Sequence, residues 1–349
     1  MTRRQRRRPR PYDQALHDLL LTDNGREQPP YPTGWYFARF SKHLAKGEVV
    51  PVTYMNRQYA LFRTETGRVG MIDSQCCHMG ADLARCGVVR AENLACGFHA
   101  WEFGTSGQCT AIPGATRIPA RAGQRGVPVT ERGGRVWFWH GPQPPEPLTH
   151  FDFARDRRRY LCLPGEVTIC HADLLPVSEH VSDVSHWRYA HKASVPMTAV
   201  TIRDEGRHFS YRVQPADGDG ERIQRFRPYA MVTMAGPTSA VIMPQADPRP
   251  GDKPARFTII TAMSPVRAGV TITAWSVIIR TLRPGWLLWP VNRLLASVVW
   301  RMVRRNSRAD REILRWMRPV AKDLWSSADG PSVRAYRRFY RRNIPADAQ

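Results

Sequence analysis

The chain has 349 residues, 42% of them apolar and 10% aromatic, which is enough for about two domain cores and excludes a chain disordered throughout. Trp286–Val303 comes nearest to a spanning helix, and Pro290, Arg293 and Arg301 interrupt it, so a transmembrane segment is excluded. Six arginines in residues 1–10, and thirteen basic against four acidic residues across 301–342, carry most of the formal charge of +22. Basic ends of this kind can hold nucleic acid or an anionic membrane. No zinc finger, helix-turn-helix or aromatic RNA-binding signature accompanies them, so a solvated tail and a basic surface helix are expected, with no nucleic acid. The basic N-terminus has no apolar stretch behind it, so no secretory signal is expected and the cytoplasm is the expected compartment.

In chain order, residues 1–33 read as a basic Arg/Pro-rich arm with one short helix at Ala15–Leu21. From Gly34 to His140 the pattern is β: Val49–Tyr54, Gln58–Arg63, Val69–Asp73 and Arg135–His140 are branched and aromatic runs, with turn formers at Met55–Arg57 and Thr66–Gly67. Gly141–Pro147, GPQPPEP, is a linker. Leu161–Leu163 and Val167–Cys170 follow, then a helical stretch around 174–192. Runs at Phe209–Val213, Tyr229–Met234, Ala240–Met243, Phe257–Met263 and Val270–Ile279 predict an antiparallel sheet. The last 65 residues read as helical, with apolar spacing at Leu294, Leu295, Val298, Val299, Ile313, Leu314 and Met317. Asp217–Gly220 is a turn without the remaining ligands of a calcium loop. The division expected is an arm over 1–33, an all-β domain over 34–143 and a second domain with sheet and helices over 144–349, making the fold α+β.

Five of the seven cysteines crowd into residues 76–109, which without a secretion signal points to metal rather than to disulfides. Cys76-Cys77-His78 and Cys96-Gly97-Phe98-His99 give C-x-H and C-x-x-H. Two thiolates and two imidazoles can bind zinc, but zinc sites usually pair like ligands on each loop. One Cys and one His per loop suits a [2Fe-2S] cluster with two Cys on one iron and two His on the other. Residues 34–143 resemble a Rieske domain, down to CHMGADLA, FHAW and GQCTAIPG. The resemblance implies Cys76, His78, Cys96 and His99 as cluster ligands. Ala81 and Phe98 stand where respiratory-chain relatives have a clamping cysteine pair, which implies the oxygenase or ferredoxin type. Two departures are Gly97, where Pro is usual, and Ala100, where Gly is usual; Cys77, Cys86 and Cys109 read as fillers.

Glu179-x3-Asp183-x2-His186-x4-His191 is the second constellation. Two imidazoles and one carboxylate on one face of Fe(II) leave positions open for O2 and substrate. Asp183 and His186 are i, i+3 neighbours if helical, whereas His186 and His191 are i, i+5 and share a metal only where a helix is distorted or ends between them. With the Rieske motif upstream, the pattern resembles the Rieske non-haem iron oxygenases over nearly the whole chain. The ending Asp329–Tyr340 resembles the oxygenase components of 3-ketosteroid 9α-hydroxylases and cholesterol 7-desaturases.

That resemblance implies a helix-grip catalytic domain and a third iron ligand from a C-terminal helix. Asp310, Asp323 and Asp329 are the candidates, and Asp310, in ADREILRW, is the choice beside His186 and His191. It also implies a head-to-tail homotrimer in which Asp183 bridges His186 and the neighbouring subunit's cluster ligand. Electrons would come from NAD(P)H through a reductase and a ferredoxin, with O2 and a small apolar, sterol- or steroid-like substrate. A tailoring oxygenase of secondary metabolism and a plain Rieske electron carrier are the alternatives. His180 stands where relatives often have Asn and reads either as a pocket or proton-relay residue or as a packed one. Trp286–Val303 reads as an apolar lid, as an interfacial helix making a peripheral membrane contact, or as a core helix.

Overall fold

The computed structural model describes residues 25–148, 159–192, 196–216, 230–244, 257–317 and 329–346, with positions 320, 324 and 326. Two units form, the first built on Tyr36–His140 and the second on Gly141–Pro265 and Gly269–Gln349. The expected helix at Ala15–Leu21, the Asp217–Gly220 turn and Asp323 lie outside the described residues.

The first unit is strands and tight turns. Its strands are β1 (Gly34–Phe40), β2 (Val49–Tyr54), β3 (Arg57–Arg63) and β4 (Val69–Asp73), then β5 (Val88–Arg90), β6 (Asn93–Ala95), β7 (Glu102–Phe103), β8 (Cys109–Ala111), β9 (Val129–Arg132) and β10 (Arg135–His140). One helical turn, α1 (Leu83–Cys86), lies between β4 and β5 and is capped by the Asp82 side chain on Ala84 N–H. The strands form three sheets, ordered β1-β10-β9, β2-β3-β4 and β5-β6-β7-β8. Tyr54 pairs with Arg57, so the β2–β3 loop is Met55-Asn56 alone, both at positive φ (53° and 59°), as a two-residue hairpin turn demands. Phe62, Leu83, Leu94 and Phe103 pack with Cys76 and Cys96 in one buried cluster, which sets both cysteine loops on a common floor.

The second unit carries one seven-stranded antiparallel sheet, ordered β11-β17-β16-β15-β14-β13-β12. These are β11 (Tyr160–Cys170), β12 (Met197–Glu205), β13 (His208–Pro215), β14 (Ala230–Ala235), β15 (Ser239–Pro244), β16 (Phe257–Arg267) and β17 (Val270–Arg280). The two short runs predicted at 161–163 and 167–170 are one strand, joined through a register shift between Pro164 and Val167. Gly165 sits in that irregularity, where a Cβ would fall 2.3 Å from the Trp275 ring, so no other residue fits without displacing the indole. β12 was not expected; its pattern, MTAVTIRDE, alternates half-buried and exposed positions at the sheet edge.

Five helices complete the described part of this unit: α2 (Leu174–Glu179), α3 (His186–Tyr189), α4 (Trp289–Asn306), α5 (Arg308–Trp316) and α6 (Pro331–Arg342). The helix expected around 174–192 is thus two short pieces with a turn between them. α4 packs on β11 and β17, setting Ala296 and Val303 against Trp275, Val277 and Ile279. The predicted apolar spacing at Leu294, Leu295 and Val298 proves to be the outer face of α4, while its buried positions are Asn292, Ala296 and Val303. Asn292 is held inside because its amide bonds the backbone of Leu282 in both directions. α6 packs on α2, β12 and β13. No helix among the described residues is long and apolar enough to cross a membrane.

Candidate metal centres

The two cysteine loops of the first unit share one hydrogen-bond frame. Cys76 N–H donates to Ala81 O (2.8 Å) and Gly80 N–H to Cys76 O (2.8 Å); Cys96 N–H donates to Trp101 O (2.8 Å) and Ala100 N–H to Cys96 O (3.0 Å). The fifth residue of each loop is left-handed, Gly80 at φ 75° and Ala100 at φ 56°. Glycine adopts that region freely, whereas a Cβ there costs about 1–2 kcal/mol, so the second loop is held at some strain. Gly97 is demanded by packing, since a Cβ would lie 2.0 Å from the Cys86 carbonyl oxygen. The two departures from the usual motif therefore differ in kind: Gly97 fits its neighbour, and Ala100 strains its own backbone.

Cys76 and Cys96 are 4% and 3% exposed, while His78 and His99 lie at the surface with ring centroids 4.7 Å apart. His78 stacks on Trp101 at 4.5 Å and 9°, an aromatic support that the FHAW run contained but that spacing alone did not single out. Burial, reinforced by the Cys96 sulfur alongside, pushes the Cys76 thiol up to about 11. A thiol so placed keeps its proton in water at neutral pH, so holding a metal there requires that proton to be released. All seven cysteines are free, and Ala81 and Phe98 leave no disulfide clamp between the loops. Cys86 donates its thiol to Asp82 O (2.9 Å) and Cys109 is buried in the core cluster, as expected of fillers; Cys77 is exposed.

In the second unit the chain leaves α2 at His180, turns through Asp183 and re-enters a helix for only the four residues of α3. That helix ends at Ala190, and Lys192 takes φ 53°. The break resolves the i, i+5 conflict, since His191 leaves the helical path and its ring comes within 5.2 Å of the His186 ring. Asp183 is not on a helix with His186, as the spacing had suggested, but in the turn before it. Its Oδ1 accepts from Ser185 N–H (3.0 Å) and from the Ser185 hydroxyl, and its Oδ2 faces His186 Nδ1 at 3.6 Å. Burial would raise the Asp183 carboxyl, but these contacts outweigh it and hold the group down at about 2.

The turn is tied down at three points. Glu179 makes a two-point ion pair with Arg337 of α6 (2.6 and 2.8 Å), Tyr211 of β13 donates to Val181 O (2.5 Å), and Ser332 of α6 donates to Ser182 O (2.6 Å). Glu179 therefore faces α6 and not the histidines. Arg337, Tyr211 and Ser332 escaped the sequence reading because each is remote along the chain from the turn it holds; an arginine in YRRFY carries no local mark of its partner.

α5 brings Asp310, in its first turn, to the histidines. Asp310 Oδ1 is 3.0 Å from His191 Nε2 and 3.6 Å from His186 Nε2, and the three ligand-capable atoms all lie within 4.8 Å of one another. Adjacent ligand atoms around one six-coordinate ion at about 2.1 Å stand roughly 3 Å apart, so the donor set fits a single metal with its remaining positions open. Burial alone would raise the Asp310 carboxyl; the hydrogen bond with His191 and the charges of His180, His191 and His186 hold it below the usual range. The same bond raises His191. Of the other candidates, Asp329 accepts from Ser326 N–H (2.5 Å) and is used locally. His180 donates from Nδ1 to Val177 O (2.6 Å), its ring is 6.2 Å from that of His186, and burial lowers its pKa.

Residues 34–122 match the Rieske [2Fe-2S] domain family. Among curated proteins the chain is similar to cholesterol 7-desaturase of Bombyx mori, 29% identical over 167 residues covering 48% of this chain and 37% of that protein. It is also similar to a probable 3-ketosteroid-9-alpha-monooxygenase oxygenase component of Rhodococcus rhodochrous, 34% identical over 125 residues, 36% of this chain and 31% of that one. Each match spans less than half the length of the curated relative. Among solved structures, dicamba monooxygenase bound to dicamba superposes with a TM-score of 0.65 at 19% identity, covering 90% of this chain and 98% of that one. The first unit is a Rieske domain, and the α+β fold is shared across nearly the whole chain.

Proposed function

We propose that this chain, a Rieske [2Fe-2S] domain joined to an antiparallel sheet with helices, is the terminal oxygenase of a multicomponent system. The division into a Rieske domain over 34–143 and a catalytic domain over 144–349 is part of that reading. One observation carries it: in a chain with a Rieske domain, His186 Nε2, His191 Nε2 and Asp310 Oδ1 converge as a two-histidine, one-carboxylate set. A Rieske electron carrier has no use for such a set. In this reading Cys76, Cys96, His78 and His99 hold the cluster and the triad holds one Fe(II), which supplies O2 activation when bound.

The chain's own residues then do the positioning. Asp183, kept charged with Oδ2 3.6 Å from His186 Nδ1, favours the tautomer with the proton on Nδ1 and thereby leaves Nε2 for the metal. The short α3 directs His186 and His191 to one point, and Ser185 fixes the Asp183 carboxylate. The surface position of His78 and His99 lets the cluster's imidazole side exchange electrons with another chain. A ferredoxin and an NAD(P)H-dependent reductase fit that role, supported by the description of the Rhodococcus relative as an oxygenase component. A sterol- or steroid-like apolar substrate is favoured by the names of both curated relatives, and the reaction is hydroxylation or desaturation.

Purified full-length protein tests this through iron, acid-labile sulfide and electron paramagnetic resonance. About three irons and two sulfides per chain are expected, with Asp310→Ala losing about one iron while the reduced-cluster signal persists. Zinc in place of iron, or a full iron complement in Asp310→Ala, refutes the assignment.

A further inference from the structure

The outer face of α4 has no role in the metal centres, yet it is the most apolar exposed surface among the described residues. Trp286 and Leu287 lead into it at 83% and 60% exposed, and Leu294, Val298 and Met302 continue it at 64%, 53% and 50%. On a helix of 3.6 residues per turn, Leu294, Val298 and Met302 fall in one stripe, roughly opposite the buried Asn292, Ala296 and Val303. Arg301 borders the stripe, Arg305 closes its C-terminal end, and Arg293 lies further round with its guanidinium over the Trp289 ring. From Thr281 to Ala309 the sequence has six arginines and no acidic residue. Of these, Arg304 pairs with Glu166; no ion pair with a carboxylate involves Arg293, Arg301 or Arg305 among the described residues.

We infer that α4 and the Trp286–Leu288 turn before it form a docking surface for an anionic lipid bilayer, with the helix lying in the interface plane. An apolar stripe, tryptophans at one end and an arginine border are the composition of an interfacial helix. Charge selects among occupants. A second copy of this chain would bring an equally basic helix against the first, whereas anionic headgroups neutralise the arginines. An acidic protein partner would also satisfy the charge, but a row of aliphatic side chains with tryptophans at one end suits insertion among acyl chains. The inference stands apart from the reaction proposed at the iron, and its failure leaves the metal assignments untouched.

Vesicle flotation of the full-length protein decides it. Vesicles of phosphatidylcholine with about 30% phosphatidylglycerol should carry the protein upward with a blue-shifted tryptophan emission, and pure phosphatidylcholine should carry at least about tenfold less. Leu294→Asp combined with Val298→Asp should lower partitioning on anionic vesicles at least about tenfold, with the Rieske absorbance and thermal unfolding midpoint unchanged. Arg301→Glu with Arg305→Glu, which touches no buried position, should give a similar loss and decides the matter if the first pair misfolds. The inference falls if the native protein does not float, or floats equally without anionic lipid. It also falls if both double variants float like the native protein, which would assign binding to the N-terminal arginines. A change of oligomeric size in Leu294→Asp/Val298→Asp without lipid would make the stripe a contact between copies and overturn it as well.

Discussion

At the scale of single residues, the two proposed metal centres were legible wherever the candidate ligands are local. Cys76, His78, Cys96 and His99 lie in short loops, and His186 and His191 five residues apart, so spacing alone marked them. Asp310 lies more than a hundred residues downstream and was singled out only through the resemblance; the geometry that brings Oδ1 to both Nε2 atoms has no local signature. The strain at Ala100 was equally invisible, because φ belongs to the loop and not to the residue. Ala100→Gly relieves a left-handed Cβ, against a smaller entropic cost, and should raise stability by about 0.5–1 kcal/mol in urea unfolding followed by Rieske absorbance; a loss of stability would show that Ala100 packs in a way its backbone does not reveal. For Asp183, the proposed role rests on its charge. Asp183→Asn should keep both metals but slow substrate-driven cluster oxidation by about 10- to 100-fold, the range seen when a partner of a metal-bound histidine is removed. Native rates of cluster oxidation and product formation in that variant would remove Asp183 from electron transfer.

At the scale of elements, hydrophobic period located most strands of the large sheet within a residue or two, because alternation there reflects a single fixed core. It failed for helices whose apolar residues do not face inward. α4 shows why: Leu294, Leu295 and Val298 repeat at helical spacing, and that spacing cannot say which face is buried when Asn292 is satisfied inside by Leu282. The 174–192 segment reads as a helical stretch without the break before Ser185, because propensity does not register a turn held from outside by Tyr211, Ser332 and Arg337. The Glu179–Arg337 pair is the strongest of those ties, with side chains only 15% and 14% exposed. Arg337→Met leaves Glu179 uncompensated and should cost about 3 kcal/mol, toward the lower end for a buried pair because neither group is wholly excluded from water. The loss should appear as a lower unfolding midpoint and weaker retention of the mononuclear iron, with the cluster spectrum intact. Equal loss of both metals would place the pair in global rather than local support.

At the scale of the whole molecule, the α+β architecture was legible because its two parts use different codes: short strands around clustered Cys and His, then long alternating strands closed by helices. How the two proposed centres would exchange electrons was not, since no sequence pattern states whether a cluster serves the iron of its own chain or of another. The proposal that chains associate head to tail, so that the cluster of one subunit feeds the iron of the next, has a direct test. Cys96→Ala should abolish the cluster and Asp310→Ala the mononuclear iron, so each variant alone is inactive. Co-expressed, the two should form mixed trimers in which some interfaces join an intact cluster to an intact iron on different chains. Random assortment in a heterologous ring makes about a quarter of those junctions productive, so turnover per chain should recover to roughly that fraction of the native value. Electron transfer confined within one chain predicts no recovery at any mixing ratio, because no chain in the mixture then holds both centres. Recovery should also vanish when Asp183→Asn is added to the Cys96→Ala chain, which carries the intact iron, and persist when it is added to the Asp310→Ala chain. That asymmetry follows only if Asp183 acts beside the iron that receives the electron, and a symmetric response would refute the bridging role together with the direction of the ring.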